Sequence, residues 1–191
     1  MNSTNENNFE TEIKYNMPDY GENKLIKKLK ELGAEDKGEI FENNLIFDNE
    51  ENKMYNNDLL LRLRKTGDKN ILTFKGKKID DDTYKIREEV EIEVSDFDKL
   101  KRIFEHMGYQ VKLIYQKYRR TFILKKTFIT IDKLPFGNYI EIEGIKEDID
   151  YMAGKLSLYI NDDISNKNYY DIYERICNEK NIKPSPYVTF D

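Results

Sequence analysis

The chain has 191 residues, a net charge of −5, and nearly equal shares of charged (36%) and hydrophobic (38%) residues. This length suits one domain with a sizeable core and is short for two. An acidic chain lacks the global basic field that attracts DNA, RNA or an anionic membrane, so we expect neither a nucleic-acid duplex nor a membrane as partner. The single Cys177 cannot form an intramolecular disulfide, and no apolar run reaches the roughly 20 residues of a membrane span, which predicts a cytoplasmic protein.

The first predicted strand carries charges on alternate residues. Residues 1–8 are polar and are predicted to be disordered, and the segment from Glu10 to Lys14 then reads Glu-Thr-Glu-Ile-Lys. Because the side chains of a strand alternate between two faces, Glu10, Glu12 and Lys14 share one face. On its own, this pattern fits a solvated strand edge as well as it fits a binding site.

The same alternation of charged and apolar residues recurs along the chain. Arg62 and Arg64 lie opposite Leu63, for example, and a turn at residues 66–70 joins their strand to the next. Further strands are predicted over residues 40–48, 59–65, 71–77, 84–94, 111–124, 127–134 and 139–144, with a loop over 49–58. Helices are predicted over residues 20–32, over residues 96–107 with Ser95 as the cap, and in two segments after residue 148.

These elements predict an α+β fold built on a closed, eight-stranded antiparallel β-barrel. Several strands are joined by turns too short for a parallel crossover. The helices need an apolar sheet surface to cover, so we expect them outside the barrel, with the charged strand faces turned into a lumen. One domain is predicted over residues 9–183, followed by a tail over 184–191. The residues predicted to face the lumen are Glu10, Glu12, Lys14, Arg62, Arg64, Lys75, Lys77, Arg87, Glu89, Glu91, Lys117, Arg119, Asp132, Glu141 and Glu143.

A lumen that carries both signs of charge indicates a ligand of high charge. Burying unpaired ions is strongly unfavourable, so these side chains must meet water, each other or such a ligand. Arg and Lys bind phosphoryl oxygens, whereas Glu and Asp hold Mg²⁺ or Mn²⁺. Together they describe a site for a metal and a polyphosphate.

Taken in chain order, the charged motifs of this sequence resemble those of the CYTH-domain proteins, also called triphosphate tunnel metalloenzymes. The family is an eight-stranded tunnel that binds triphosphate-containing small molecules with a divalent metal, so the resemblance implies that fold, that partner and Mg²⁺ or Mn²⁺. The motifs that carry it are Glu10-x-Glu12-x-Lys14, Leu60-Leu61-Arg62-Leu63-Arg64, Thr73-Phe74-Lys75, Arg87-Glu88-Glu89-Val90-Glu91, Lys117-Tyr118-Arg119, Asp132 and Gly137-Asn138-Tyr139-Ile140-Glu141-Ile142-Glu143.

The resemblance also implies a role for each matching position. The implied metal ligands are Glu10, Glu12, Glu141 and Glu143, and the implied catalytic residues are Lys14, Glu89 and Asp132. The implied phosphate-binding residues are Lys14, Arg62, Arg64, Lys75, Lys77, Arg87, Lys117 and Arg119. Lys77 and Glu91 could equally close internal salt bridges.

The implied activity is metal-dependent hydrolysis of inorganic tripolyphosphate or a nucleoside triphosphate. One alternative is a class IV adenylyl cyclase, which makes cyclic AMP and pyrophosphate from ATP. Bacterial members of that class carry a His-Phe pair where this chain has Thr4 and Asn5. A second alternative is a non-catalytic protein that binds polyphosphate or nucleotide. The lack of tryptophan favours a small or undecorated triphosphate, and the oligomeric state stays open, with a homodimer as one alternative.

Overall fold

The computed structural model describes residues 9–161 and 164–190. Residues 1–8, which were predicted to be disordered and which include Thr4 and Asn5, lie outside the described residues. The strands are β1 (Phe9–Asn16), β2 (Glu35–Asp48), β3 (Leu60–Thr66), β4 (Lys69–Ile79), β5 (Lys85–Glu93), β6 (Gln110–Leu124), β7 (Thr127–Leu134), β8 (Gly137–Glu143) and β9 (Tyr187–Val188). The helices are α1 (Glu22–Glu31), α2 (Lys53–Asn56), α3 (Phe97–His106), α4 (Lys146–Leu156) and α5 (Tyr169–Glu179).

Strands β1 to β8 close into an antiparallel barrel, which confirms the predicted fold class. They follow the order β2-β3-β4-β5-β1-β8-β7-β6, and β6 pairs back with β2 to complete the ring. Closure gives each of these strands two hydrogen-bonded neighbours, so none of them is left as an exposed edge. The short strand β9 adds a parallel pair to β6 at Ile114 and Tyr115.

The direction of the strands decides where the helices lie. Neighbouring strands run antiparallel, so β3, β5, β6 and β8 all begin at one end of the barrel. Helix α2 joins β2 to β3 and therefore lies at this end, which we call the α2 end. The connections from β1 to β2 and from β5 to β6 join strands that are not neighbours and must return along the barrel. Helices α1 and α3 make these two returns.

The core lies between the outer wall of the barrel and the helices. Leu25 and Leu29 of α1 and Ile149 of α4 pack with Ile13 and its strand neighbours into one cluster, and all four of these side chains are buried. Burial of each such aliphatic side chain contributes about 1.5–3 kcal/mol. Phe104 of α3 belongs to a second cluster over β2 and β3. The apolar strand faces therefore point outward, and the charged faces point inward, as predicted.

Several local predictions need correction. The N-cap of α3 is Asp96 rather than Ser95, because the Asp96 carboxylate accepts a hydrogen bond from the Lys99 backbone N–H at 2.9 Å. The predicted loop over residues 49–58 contains α2, and the predicted tail contains β9. None of the helices in the described part of the chain combines the length and apolar character needed to cross a membrane.

Candidate active site

The inward faces of the barrel strands line a cavity of about 1230 Å³. We call its charged part the lumen. The predicted residues that line it are Glu10, Glu12, Lys14, Arg62, Arg64, Lys75, Arg87, Glu89, Glu91, Lys117, Arg119, Glu141 and Glu143. The alternation of side chains along eight strands thus brings together residues that lie far apart in the chain.

Strands β1 and β8 build an ion-pair network on one wall of the lumen. Their register places Glu12 opposite Glu143 and Lys14 opposite Glu141. The Lys14 ammonium lies 2.8 Å from a Glu12 oxygen and 2.9 Å from a Glu141 oxygen. Burial opposes the charged form of Lys14, yet the two carboxylates raise its pKa well above the usual range. Lys14 is therefore a permanent cation of the lumen.

Lys85 is a lumen residue that the sequence-based prediction omitted. It lies opposite Glu12 in the β1–β5 pair and donates a hydrogen bond to the same Glu12 oxygen at 2.8 Å. Burial lowers the pKa of Lys85 to about 8, against the opposing effect of Glu12 and with a further contribution from Lys14. A signal for Lys85 was present, because it precedes Arg87 by two residues and so shares its strand face.

The two arginines of β3 face carboxylates from other strands. Arg64 lies 3.2 Å from Glu42, another residue absent from the prediction, and 2.8 Å from Glu91. Arg62 donates to the Thr73 hydroxyl at 3.1 Å and lies 3.3 Å from Glu91. Glu91 therefore does close an internal salt bridge. The Nε atoms of Arg62 and Arg64 are buried and have no hydrogen-bond partner among the described residues.

Asp132 lies beneath the lumen surface and holds two of its cations. Its carboxylate accepts hydrogen bonds from Lys117 at 2.9 Å and from the Arg119 Nε at 2.6 Å. The hydroxyl of Tyr169, the first residue of α5, donates to Asp132 at 2.7 Å. The Tyr169 ring centroid lies 5.1 Å from the ammonium of Lys14 and 5.3 Å from that of Lys117. Tyr169 carried no signal in the sequence, because its helix lies outside the strand pattern.

Two of the predicted phosphate-binding residues, Lys77 and Arg87, have different surroundings from those expected. A register shift in β4 after Lys75 turns Lys77 to solvent, outside the cavity, so the expectation that Lys77 faces the lumen is wrong. Arg87 does line the cavity. Its guanidinium donates to the backbone carbonyls of Gly76, at 2.6 Å, and of Asp58. Arg87 thus anchors backbone at the α2 end of the barrel.

Comparison with known proteins decides the family. The family model described as CYTH domain matches residues 8–155. The chain belongs to the CYTH family. A protein of Methanocaldococcus jannaschii named "Putative adenylate cyclase MJ0240" is 30% identical over 141 residues, which cover 73% of this chain and 79% of that relative.

Solved structures share the CYTH barrel. One from Vibrio parahaemolyticus, described as a "putative adenylate cyclase", has a TM-score of 0.76 at 20% identity and covers 88% of this chain and 99% of that chain. HpAC1 from Hippeastrum, described as a "putative adenylyl cyclase" that reveals a dominant triphosphatase activity, has a TM-score of 0.59 at 13% identity and covers 93% of this chain and 98% of its own. At these identities the likeness shows the fold alone.

The CYTH lumen of this chain offers hard oxygen donors to a divalent metal. Burial, followed by the charges of Glu10 and Glu12, raises the pKa of Glu143 to about 8. Glu143 forms no ion pair with any residue that the structure describes. A divalent cation would offset the repulsion among these carboxylates, and oxygen donors are the ones that Mg²⁺ and Mn²⁺ prefer. The donor chemistry therefore fits such a metal.

In the described chain, the carboxylates do not converge on one common metal position. Over residues 9–161 and 164–190, no three Asp, Glu, His or Cys side chains converge in a metal-binding arrangement. Glu10 instead bonds Lys75 at 2.5 Å, and Glu12 and Glu141 bond Lys14. Metal binding would therefore require these carboxylates to exchange a lysine for the metal.

The surroundings of Glu89, one of the predicted catalytic residues, raise its pKa to near neutral pH. Burial and a hydrogen bond with Glu10 raise the pKa of Glu89 to about 8, although Lys75, 2.8 Å away, opposes the shift. A carboxyl group with this pKa can gain or lose a proton near neutral pH, which suits general acid or base catalysis.

Proposed function

We propose that this CYTH protein is a divalent-metal-dependent triphosphatase. It would hydrolyse the terminal phosphoanhydride bond of inorganic tripolyphosphate or a nucleoside triphosphate inside the lumen. The observation that carries the proposal is that buried lysines and arginines share one cavity with a cluster of carboxylates, one of which, Glu143, forms no ion pair with the described residues. A plain anion receptor gains nothing from such carboxylates, whereas a metal-dependent phosphoryl-transfer site needs them.

The cations would bind the phosphate chain by changing partners. Phosphoryl oxygens would take the place of carboxylates as acceptors for Lys75, Arg64 and their neighbours. The Nε atoms of Arg62 and Arg64 are buried and have no hydrogen-bond partner in the described chain, so each would donate to such an oxygen if its side chain turned toward the cavity. Arginine is well suited to this role, because its planar fork matches two oxygens of one phosphate group.

Glu10, Glu12, Glu141 and Glu143 would hold the metal, Mg²⁺ or Mn²⁺. When bound, the metal supplies Lewis-acid polarisation of a phosphoryl oxygen. Lys14 lies beside Glu12 and Glu141, and as a permanent cation it would stabilise the negative charge that develops on the transferred group.

Glu89 would accept the proton of the attacking water, because its raised pKa suits a base that works at neutral to mildly alkaline pH. Asp132 would act indirectly. It is fully buried and bonded to Lys117, Arg119 and Tyr169, so it would orient the two cations rather than touch the substrate.

A second candidate is adenylyl cyclisation, in which the ribose 3′-hydroxyl attacks the α-phosphate of ATP. The observation that favours it is the name of the Methanocaldococcus jannaschii relative, which refers to an adenylate cyclase. The same lumen would serve both reactions, and the position of the attacking group relative to the phosphates would decide between them.

The products separate these candidates. Purified protein is incubated with tripolyphosphate, ATP, GTP or thiamine triphosphate, with Mg²⁺, Mn²⁺ or excess EDTA, and the products are resolved by ion-exchange chromatography. We expect orthophosphate with pyrophosphate from tripolyphosphate, and with ADP from ATP, only when metal is present. Cyclic AMP with pyrophosphate as the main products would replace the triphosphatase with the cyclase. Tight ATP binding without any product would leave a non-catalytic binding protein.

A further inference from the structure

Tyr169, the first residue of α5, contacts the lumen although it belongs to none of the barrel strands. Its hydroxyl donates to Asp132 at 2.7 Å. Its ring centroid lies 5.1 Å from the ammonium of Lys14 and 5.3 Å from that of Lys117, and both lysines are buried. These distances are within the range of cation–π interactions. The CYTH match covers residues 8–155, so Tyr169 lies beyond the matched region.

The backbone on both sides of Tyr169 is anchored. The Ser165 carbonyl accepts a hydrogen bond from the Lys14 N–H at 2.9 Å, which joins the segment before α5 to β1. At the start of α5, the Asn168 N–H donates to the Asp171 carboxylate at 3.1 Å as part of a capping box. The Tyr169 ring is therefore held beside the lysines before any ligand binds, and such preorganisation favours binding.

The ring offers Lys14 a contact that a phosphate ligand would not replace. Lys14 is now paired with Glu12 and Glu141, and in the proposed function both of these carboxylates would turn to the metal. An aromatic ring attracts a cation through the negative potential of its face. Because an ammonium group has three N–H donors, it can stay beside the ring and still donate to phosphoryl oxygens.

The hydroxyl of Tyr169 fixes the orientation of the ring. Burial, followed by the charges of Asp132 and Glu141, raises the pKa of Tyr169 well above its usual range, so the hydroxyl stays a neutral donor to Asp132. The same Asp132 carboxylate accepts hydrogen bonds from Lys117 and Arg119. One carboxylate therefore connects the ring of α5 to two cations of β6.

We propose that Tyr169 is a positioning residue that holds Lys14 and Lys117 in place for a triphosphate through the face of its ring. This inference rests on the proposed function and deepens it, because it gives helix α5 a part in substrate binding. Without the ring, each lysine would have to be ordered when the phosphates arrive, and ordering a long, flexible side chain weakens binding. The loss should therefore affect Kd and KM more than kcat, since bound substrate itself orders the lysines.

The test varies the electron density of the ring at nearly constant size. Phenylalanine and its difluorinated and trifluorinated derivatives are introduced at position 169 by nonsense suppression, and Tyr169→Leu removes the ring. Fluorine withdraws electron density from the ring face, so the attraction to a cation weakens stepwise while packing changes little. The same series at Tyr173 is the matched control. Tyr173 also lies on α5, but its ring packs 5.4 Å from that of Phe136, outside the cavity.

The Kd for tripolyphosphate is measured by calorimetry in EDTA, and KM and kcat are measured by orthophosphate release with Mg²⁺. Tyr169→Phe keeps the ring and loses one hydrogen bond, so Kd and KM should stay within about threefold of wild type. The trifluorinated ring and Tyr169→Leu should raise both values by about tenfold, with the difluorinated ring between them. The series at Tyr173 should leave Kd and KM unchanged, and circular dichroism checks that each variant is folded.

A flat fluorinated series at position 169 would overturn the inference, even if Tyr169→Leu binds weakly, because the ring would then act by packing alone. An equal slope at Tyr173 would also overturn it. The outcome is separable from that of the proposed function. If wild type hydrolyses no triphosphate, the triphosphatase proposal fails, while a graded loss of tripolyphosphate binding still supports Tyr169. Hydrolysis with a flat series would keep the enzyme and remove the role of Tyr169, and a wild type that neither binds nor hydrolyses tripolyphosphate would overturn both.

Discussion

Lys85 donates a hydrogen bond to Glu12 across the β1–β5 pair, with 2.8 Å between its ammonium nitrogen and the carboxylate oxygen. The same oxygen accepts a hydrogen bond from Lys14, also at 2.8 Å. Glu12 therefore holds two buried lysines, and although burial opposes it, their charges keep the pKa of Glu12 well below its usual range. In the proposed function, a metal that binds Glu12 would compete with these lysines and leave them free to turn toward phosphate.

Replacing Lys85 should impair catalysis. Lys85→Met keeps most of the side-chain volume but removes a cation that, in the proposed function, would contact phosphate, so kcat/KM should fall by about ten- to a hundredfold. The matched control is Lys78→Met. Lys78 also lines the cavity, but its side chain is one-third exposed and its ammonium lies 3.9 Å from an Asp58 oxygen rather than beside Glu12. Orthophosphate release gives the rates, and circular dichroism checks the fold. Equal losses in both variants would deny Lys85 a specific role.

Replacing Glu12 should abolish the response to metal. Glu12→Gln keeps the volume of the side chain and removes its charge, so we expect turnover to fall by at least about a hundredfold at saturating Mg²⁺. The metal-dependent rise in melting temperature should also shrink. Glu93→Gln, which changes an exposed glutamate paired with Lys69 at 3.0 Å, should retain both properties. Normal turnover by Glu12→Gln in excess EDTA would show that the reaction needs no metal.

Removing Lys117 should destabilise the protein as well as weaken phosphate binding. Lys117 and Asp132 are buried and 2.9 Å apart, so Lys117→Ala leaves a buried carboxylate with one cation fewer. Because Arg119 and Tyr169 still donate to Asp132, we expect a loss of about 1.5–3 kcal/mol in the free energy of unfolding, measured by urea denaturation. Lys37→Ala breaks the exposed pair with Glu35 and should change stability by less than about 1 kcal/mol. Similar losses in the two variants would mean that the buried pair adds no more than a surface pair.

Asp81 should make stability depend on pH below about 4. Its carboxylate accepts hydrogen bonds from Lys146 and from the backbone N–H groups of Tyr84 and Thr83, which lower its pKa from 3.8 to about 2. Because the folded-state pKa is the lower one, this stabilisation is complete above pH 3.8 and is lost as the pH falls through about 2. Asp81→Asn should therefore unfold more readily than wild type at pH 6, and the difference should narrow at pH 2. A constant difference across this range would contradict the assignment.

The sequence by itself determined which face of each strand points inward. Glu10, Glu12 and Lys14, like Arg62 and Arg64, were correctly predicted to share a face, because alternation along a strand is local and needs no knowledge of the neighbouring strands. The need to cover apolar faces with helices then predicted a charged lumen, and the structure has one. The prediction failed for Lys77. The register shift in β4 after Lys75 turns Lys77 outward, and the alternation of charged and apolar residues does not reveal this shift.

Only the tertiary structure decided which charges meet. Lys85 and Glu12 are 73 residues apart and become partners because β1 and β5 are neighbours in the barrel. Tyr169 reaches Asp132 because α5 packs at the α2 end of the barrel, and Tyr55 meets the same cavity because Asp48 fixes the backbone of α2. Strand order, register and helix packing depend on contacts between distant segments, and the periodicity of one segment does not contain them.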